Sequence, residues 1–257
     1  MQRTRTVLAV PMLALATALA LSACGGSGGS GDSGSDASQG SKAADDAKDK
    51  PKASAAPEKT ADAAAELDRF VLSKSEVKGF TVREPSKGYV FATSQDQVKL
   101  DKPVCAPISY ATNQLPLGSP QAHVTRVAAE VAGSATFTYI TLATYADGKA
   151  KTALAGLSKA IDSCGNGFTA TSGKTASPHS SVTAEPAPSP KGADESVAFR
   201  TTIKHQGVTH TLRTQAVRYG DKVALYYAVD AMAFTQSRPG NAKLATAVMA
   251  AQNGKLG

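Results

Sequence analysis

The first pattern in the chain is an apolar run from Val7 to Leu21, broken only by Pro11 and Thr17 and preceded by Arg3 and Arg5. A bilayer span takes about 20 apolar residues, so this run fits the core of a signal peptide better than a membrane helix. From Gly25 to Ala56 there is no periodicity, only Gly, Ser, Ala, Asp and Lys with scattered Gln and Pro and no aromatic residue. Such a stretch buries too little apolar surface to offset its ordering entropy and is predicted to be a disordered tether.

Periodic positions return near Ala61. Ala64, Ala65, Leu67, Val71 and Leu72 predict a short helix, and Ser73-Lys74-Ser75-Glu76 reads as a capping box for a second one ending at Gly79. Phe80–Arg83 and Tyr89–Phe91 read as strands around a turn at Pro85–Gly88, and residues 93–122 read as irregular. Val124–Ala132 and Ala135–Thr144 predict a hairpin about Gly133-Ser134, which would set Val127 opposite Ile140 and Val131 opposite Thr136. Asp147 would cap a helix with Ala150, Ala153, Leu154, Leu157, Ile161 and Cys164 on one stripe. Residues 173–192, with Pro178, Pro186, Pro188 and Pro190, are expected to form a mobile loop. A three-stranded meander follows, with turns at Gln206-Gly207 and Gly220-Asp221. These set Arg200 opposite Arg213, Thr214 opposite Tyr227 and Ala216 opposite Leu225, with Val197, Phe199 and Ile203 on one face. A last helix from about Asn241 carries Leu244, Ala245, Val248 and Met249. The order implies an α+β fold: a largely antiparallel sheet with helices packed on one face, after the tether.

The end of the apolar run changes the picture most. Leu21-Ser22-Ala23-Cys24, followed by Gly25, has the form of a lipobox. Residues 1–23 then read as a lipoprotein signal peptide, 24–66 as the lipidated Cys24 with its tether, and 67–257 as a single domain. Two acyl chains on Cys24 would anchor the chain stably, since each buried CH₂ contributes about 0.8 kcal/mol. Cys105 and Cys164 remain, and two cysteines in an exported protein are expected to pair.

The formal charge of +7 is uneven. Residues 25–66 hold five Lys against eight acidic residues, and by difference 67–257 carries a net +8. Outside a cell such a charge either serves solubility alone or faces lipid headgroups and anionic wall polymers, not nucleic acid. Arg200 and Arg213, with Lys204 on the same side, read either as a solvated strand face or as an anion-binding site, because opposed like charges cost stability. His205 and His210 would lie diagonally on the other face of that hairpin without an obvious third metal ligand. Gly173-Lys174-Thr175 lacks the spacing of a phosphate-binding loop, and no G-x-S-x-G or H-E-x-x-H is present. No cofactor, metal or catalytic residue is expected.

The lipobox, the tether, a domain with Cys105 in a loop and Cys164 ending a helix, and the stretch Leu72–Phe80 together resemble actinobacterial cell-envelope lipoproteins. The domain is similar to the extracellular sensor domain of mycobacterial serine/threonine kinases of the PknH type. That resemblance implies an α+β domain with a ligand-binding cleft. The expected function is a membrane-anchored, extracytoplasmic, non-catalytic ligand-binding or sensor-like module. Two alternatives stay open: an exported enzyme acting on wall or lipid substrates, and an envelope lipid carrier.

Overall fold

The computed structural model of the protein describes residues 56–86, 90–133 and 135–257. The signal-like run, Cys24 and the tether as far as residue 55 lie outside the described residues, as do the core of the turn expected before residue 90 and Ser134.

Among the described residues, ten strands form a single sheet. They are β1 (Phe80–Arg83), β2 (Val98–Leu100), β3 (Ala122–Glu130), β4 (Thr136–Thr144), β5 (Phe168–Ser172), β6 (Thr175–Glu185), β7 (Glu195–His205), β8 (Val208–Tyr219), β9 (Lys222–Asp230) and β10 (Gly240–Asn241). The order across the sheet is β1-β3-β4-β9-β8-β7-β6-β5-β2. Every pair is antiparallel except β10, which runs parallel to β8 where β9 has ended. The helices are α1 (Ala56–Phe70), α2 (Ala106–Ala111), α3 (Lys149–Ser163), α4 (Ala231–Thr235) and α5 (Thr246–Gly254). The α+β class with a mostly antiparallel sheet is therefore as expected.

The expectation that helices cover one face is corrected. On one face Ile140, Leu142, Val217, Ala224 and Tyr226 pack with Leu67, Val71 and Leu72 of α1 and its end and with Val248 of α5. On the other, Ala143, Phe199, Ala216, Val223 and Leu225 pack beneath α2 and α3, against Ile108, Leu154, Leu157 and Ile161. The cause is visible in β9, where every residue from Val223 to Ala228 is buried, without alternation. A strand apolar on both sides needs a layer on both sides.

The meander register is the expected one: Arg200 opposes Arg213, Thr214 opposes Tyr227 and Ala216 opposes Leu225. The preceding hairpin is not. Val127 opposes Tyr139 and Arg126 opposes Ile140, a slip of one residue that sends Val127 and Ile140 to opposite faces. The connection takes residues 131–135, and Val131 N–H still bonds Gly79 O at 2.9 Å, so the turn is wider than a two-residue one. Further expectations are corrected. The first helix begins at Ala56, within the stretch assigned to the tether. Ser73–Glu76 is a turn, in which the Glu76 carboxylate accepts from Ser73 N–H but no helix follows. Residues 90 and 91 are not in a strand, whereas the stretch read as irregular after them holds β2 and α2. Gly148, not Asp147, is the cap of α3, and the last helix starts only at Thr246.

The largest correction concerns the loop expected over 173–192. Most of it is β6, paired with β5 on one side and β7 on the other. Pro178 is tolerated because pairing with β7 covers only His179 to Glu185, so its missing N–H breaks no bond on that side. Pro186, Pro188 and Pro190 follow the strand and make the true loop.

Candidate functional site

The Cys105–Cys164 disulfide is formed, with a Cα separation of 6.0 Å. It joins the 3-10 turn before α2 to the end of α3, and both cysteines are fully buried. This bond fixes the helical layer on one face of the sheet.

The candidate residues Arg200, Arg213 and Lys204 lie on the opposite face. Arg200 and Arg213 are cross-strand partners, as expected, and Lys204 follows on the same side of β7. A residue that the sequence reading missed stands between the arginines. Glu185 Oε1 is 3.4 Å from Arg213 Nε and 3.8 Å from Arg200 Nη1. Arg213 Nη1 also donates to Asn241 Oδ1 and, at 3.1 Å, to Ala242 O. The chain thus supplies its own anion to the pair, and the repulsion that suggested an outside ligand is relieved internally. Arg200 remains the more open of the two, its side chain 48% exposed against 22% for Arg213. The signal for Glu185 was present: Ser181-Val182-Thr183-Ala184-Glu185 alternates as a strand does, ending just before Pro186.

Beside this cluster, on the same face, runs a groove of about 620 Å³. Its floor includes Gln215, two residues along β8 from Arg213, and Leu244. One wall is α5, through Met249, Ala250 and Asn253. The other is the loop Pro188–Lys191. The polar groups are positioned by bonds to the scaffold. Gln215 Nε2 donates to Ser196 Oγ at 2.8 Å, and Asn253 Oδ1 accepts from Tyr226 O–H at 2.7 Å. The α5 wall is tied to the end of α1 by the buried Gln252, which accepts from Leu72 N–H at 3.0 Å and donates to Phe70 O at 2.8 Å. The loop wall is tied down by Asp194, whose Oδ2 accepts from Arg218 Nη1 and Gly220 N–H. Apolar walls, two fixed amides and the Lys191 ammonium can hold an apolar molecule and orient a polar end. Periodicity could not reveal this groove, because its walls come from an irregular loop and a helix distant in sequence.

The histidines sit on the face with the disulfide. His205 and His210 are diagonal neighbours as expected, with ring centroids 6.3 Å apart. Among the described residues no group of three or more His, Cys, Asp or Glu is arranged to hold a metal ion. His179, in β6, is buried and stacks on Phe168 with centroids 4.3 Å apart; its Nδ1 lies 3.1 Å from Thr201 Oγ1. Burial pushes its imidazole down to about 4.

No family model and no curated protein matches this chain. Solved structures similar to it include the extracellular domain of PknH from Mycobacterium tuberculosis. That likeness has a TM-score of 0.42 and 10% identity, and covers 74% of this chain and 92% of the other. They also include an Rv0999 ortholog from Mycobacterium smegmatis, with a TM-score of 0.36 and 14% identity over 77% of this chain and 95% of that one.

Proposed function

We propose that this protein is a non-catalytic ligand-binding module held at the outer face of the cell membrane by lipid on Cys24. We further infer that it binds, in the groove between α5 and the Pro188–Lys191 loop, an apolar molecule bearing one anionic group. The observation that carries the binding reading is the groove itself. Leu244, Met249, Ala250, Pro188 and Pro190 offer apolar surface, while Lys191, Gln215 and Asn253 offer polar groups for one end of a ligand. Export is supported by the buried Cys105–Cys164 bond, which belongs to an oxidising compartment, and by the signal-like run ending at Leu21-Ser22-Ala23-Cys24.

Two experiments test this. A dansyl-labelled undecanoate should bind the purified protein with enhanced fluorescence and be displaced by unlabelled alkyl carboxylates. Met249→Asp should weaken binding by about tenfold or more, since it sets a like charge against the ligand and removes apolar contact. Equal binding by the variant would remove the groove as the site. In cells, Cys24→Ala should abolish incorporation of labelled acyl chains and release the protein from membranes, whereas continued labelling would overturn the anchor.

A further inference from the structure

Three histidines meet at one end of the disulfide-bearing face. His179 opposes Ile203, and Ile203 opposes His210, so the two histidines lie in a row across β6, β7 and β8 with Ile203 between them. His205 is two residues further along β7, on the same side as Ile203.

His210 is the unusual member. It is 1% exposed, and neither ring nitrogen has a hydrogen-bond partner. Buried polar groups are rarely left in that state. One segment covers it. Phe234 of α4 stacks on the imidazole with centroids 3.9 Å apart and planes at 11°. The same ring lies 5.6 Å from that of His205. On the return of the chain Gly240 pairs with His210, and a Cβ at that position would lie only 3.0 Å from Nδ1. The covering segment is otherwise thinly attached. Most of residues 231–241 are exposed, with Ala233, Phe234 and Gly240 turned inward. It is further held by the Asp230 cap on Ala233 N–H, the Arg238–Asp230 ion pair at 3.3 Å, a Ser237–Gln206 hydrogen bond, and, at its two ends, the Ala231 N–H bond to Ala135 O at 3.0 Å and the Arg213 bond to Asn241 Oδ1.

We propose that residues 231–241 form an acid-operated latch, closed over neutral His210 and released when His210 takes up a proton. A protonated imidazole has two N–H donors, and the closed pocket offers His210 no acceptor. Asp230 is the acid within reach, but its carboxylate already serves Ala233 N–H and the Arg238 guanidinium, which adds a positive charge to the segment itself. His179 lies beyond Ile203 and is stacked under Phe168. Lys204 is on the other face of β7. Consistent with this geometry, burial and then His205 push the His210 imidazole below its ordinary value, with Asp230 opposing. A group held neutral by the fold withdraws stability as pH falls below its unfolded value, about 6.5. At pH 5 a free imidazole is protonated about thirty-fold over its neutral form, and that excess favours the open state.

The latch reaches the groove. The same segment runs on into Asn241 and Ala242, which hold Arg213, and into Leu244 of the groove floor. Opening would therefore loosen one boundary of the site, a consequence that rests on the groove being the binding site.

Hydrogen exchange of the intact protein, corrected for the intrinsic effect of pH, tests the latch. Exchange in 231–241 should rise about tenfold or more between pH 7.5 and pH 5, with the rest of the sheet little changed. His210→Phe, which keeps a ring under Phe234 and removes the titrating group, should stay protected at both pH values. Equal protection of the wild type at both pH values, or acid opening of the Phe variant, would overturn the proposal. Should that variant fold poorly, the NMR titration of wild type serves instead. The His210 ring and Phe234 ring signals should move together, and His210 titrating while Phe234 stays fixed would equally overturn it. Dansyl-undecanoate binding at the two pH values separates the two readings. Loss of binding at pH 5 supports the coupling, and opening without loss refutes it. Absence of binding at either pH counts against the groove and leaves the exchange result on the latch intact.

Discussion

The disulfide gives the sharpest quantitative expectation. Cys105 and Cys164 are 59 residues apart in sequence. In the chain-entropy model, closing a loop of that size stabilises the fold by about 4 kcal/mol through the unfolded chain alone. Both cysteines have no exposed surface, and they pack with Ile108, Leu157 and Phe168. The native protein should therefore resist a mild reductant and lose the bond only on unfolding. The perturbation is the double change Cys105→Ala, Cys164→Ala, which leaves no new polar group in the core. With an m-value of about 2 kcal/mol/M, the urea midpoint should fall by about 2 M. The chain has no Trp and seven Tyr, so near-ultraviolet circular dichroism is the suitable readout. The m-value should rise slightly, because the uncrosslinked chain expands further. A stability loss below about 1 kcal/mol would refute the entropy argument. Free thiols in the folded protein exported by its own host would refute the bond itself.

Two other expectations follow from side chains the sequence placed less clearly. Glu185→Gln removes the carboxylate shared by Arg200 and Arg213; these groups are partly exposed, so stability should change by no more than about 1 kcal/mol, while binding to vesicles rich in anionic lipid should strengthen and be reversed by salt. No gain in vesicle binding would mean that this face does not meet anions. His179, held down to about 4 by burial, is neutral in the fold and should withdraw about 3 kcal/mol of stability as pH falls from about 6.5 to about 4. His179→Gln should flatten the stability–pH profile in that window, and an unchanged slope would show that His179 is not the group being charged.

How much was legible depended on what fixed each register. The meander was readable because its turns carry their own signal. Gln206, Gly207 and Gly220 all take positive φ, and each turn leaves one way to pair the flanking strands. The β3–β4 hairpin was not, because its connection is wider and both faces of β4 are buried. When Ile140, Leu142 and Ala143 are all inside, alternation no longer says which residue faces which layer. The same loss of alternation hid the second helical layer. The groove depends on α5 lying against a loop far from it in sequence, and no local pattern encodes that. The His210 pocket likewise needs β10 and Phe234 brought back across β8.

The stretch 173–192 had the widest consequence. Pro178, Pro186, Pro188 and Pro190 suppress a strand reading, yet three of them come after β6 ends at Glu185, and Pro178 lies outside its pairing with β7. With the whole stretch taken as loop, β7 becomes the boundary of the meander. Arg200 and Arg213 then stand opposite one another with nothing beside them, and an external anion is the natural remedy. With β6 restored as the next strand, Glu185 comes within ion-pair distance of both guanidiniums. The physics that raised the question was sound, since two cations held across a strand pair do need a counter-charge. What changed is its source. An opposed like-charge pair inside a sheet is thus a reason to look for a carboxylate on the adjoining strand before an outside ligand. Here that strand ends in a glutamate just before Pro186, the first of the three prolines that follow it.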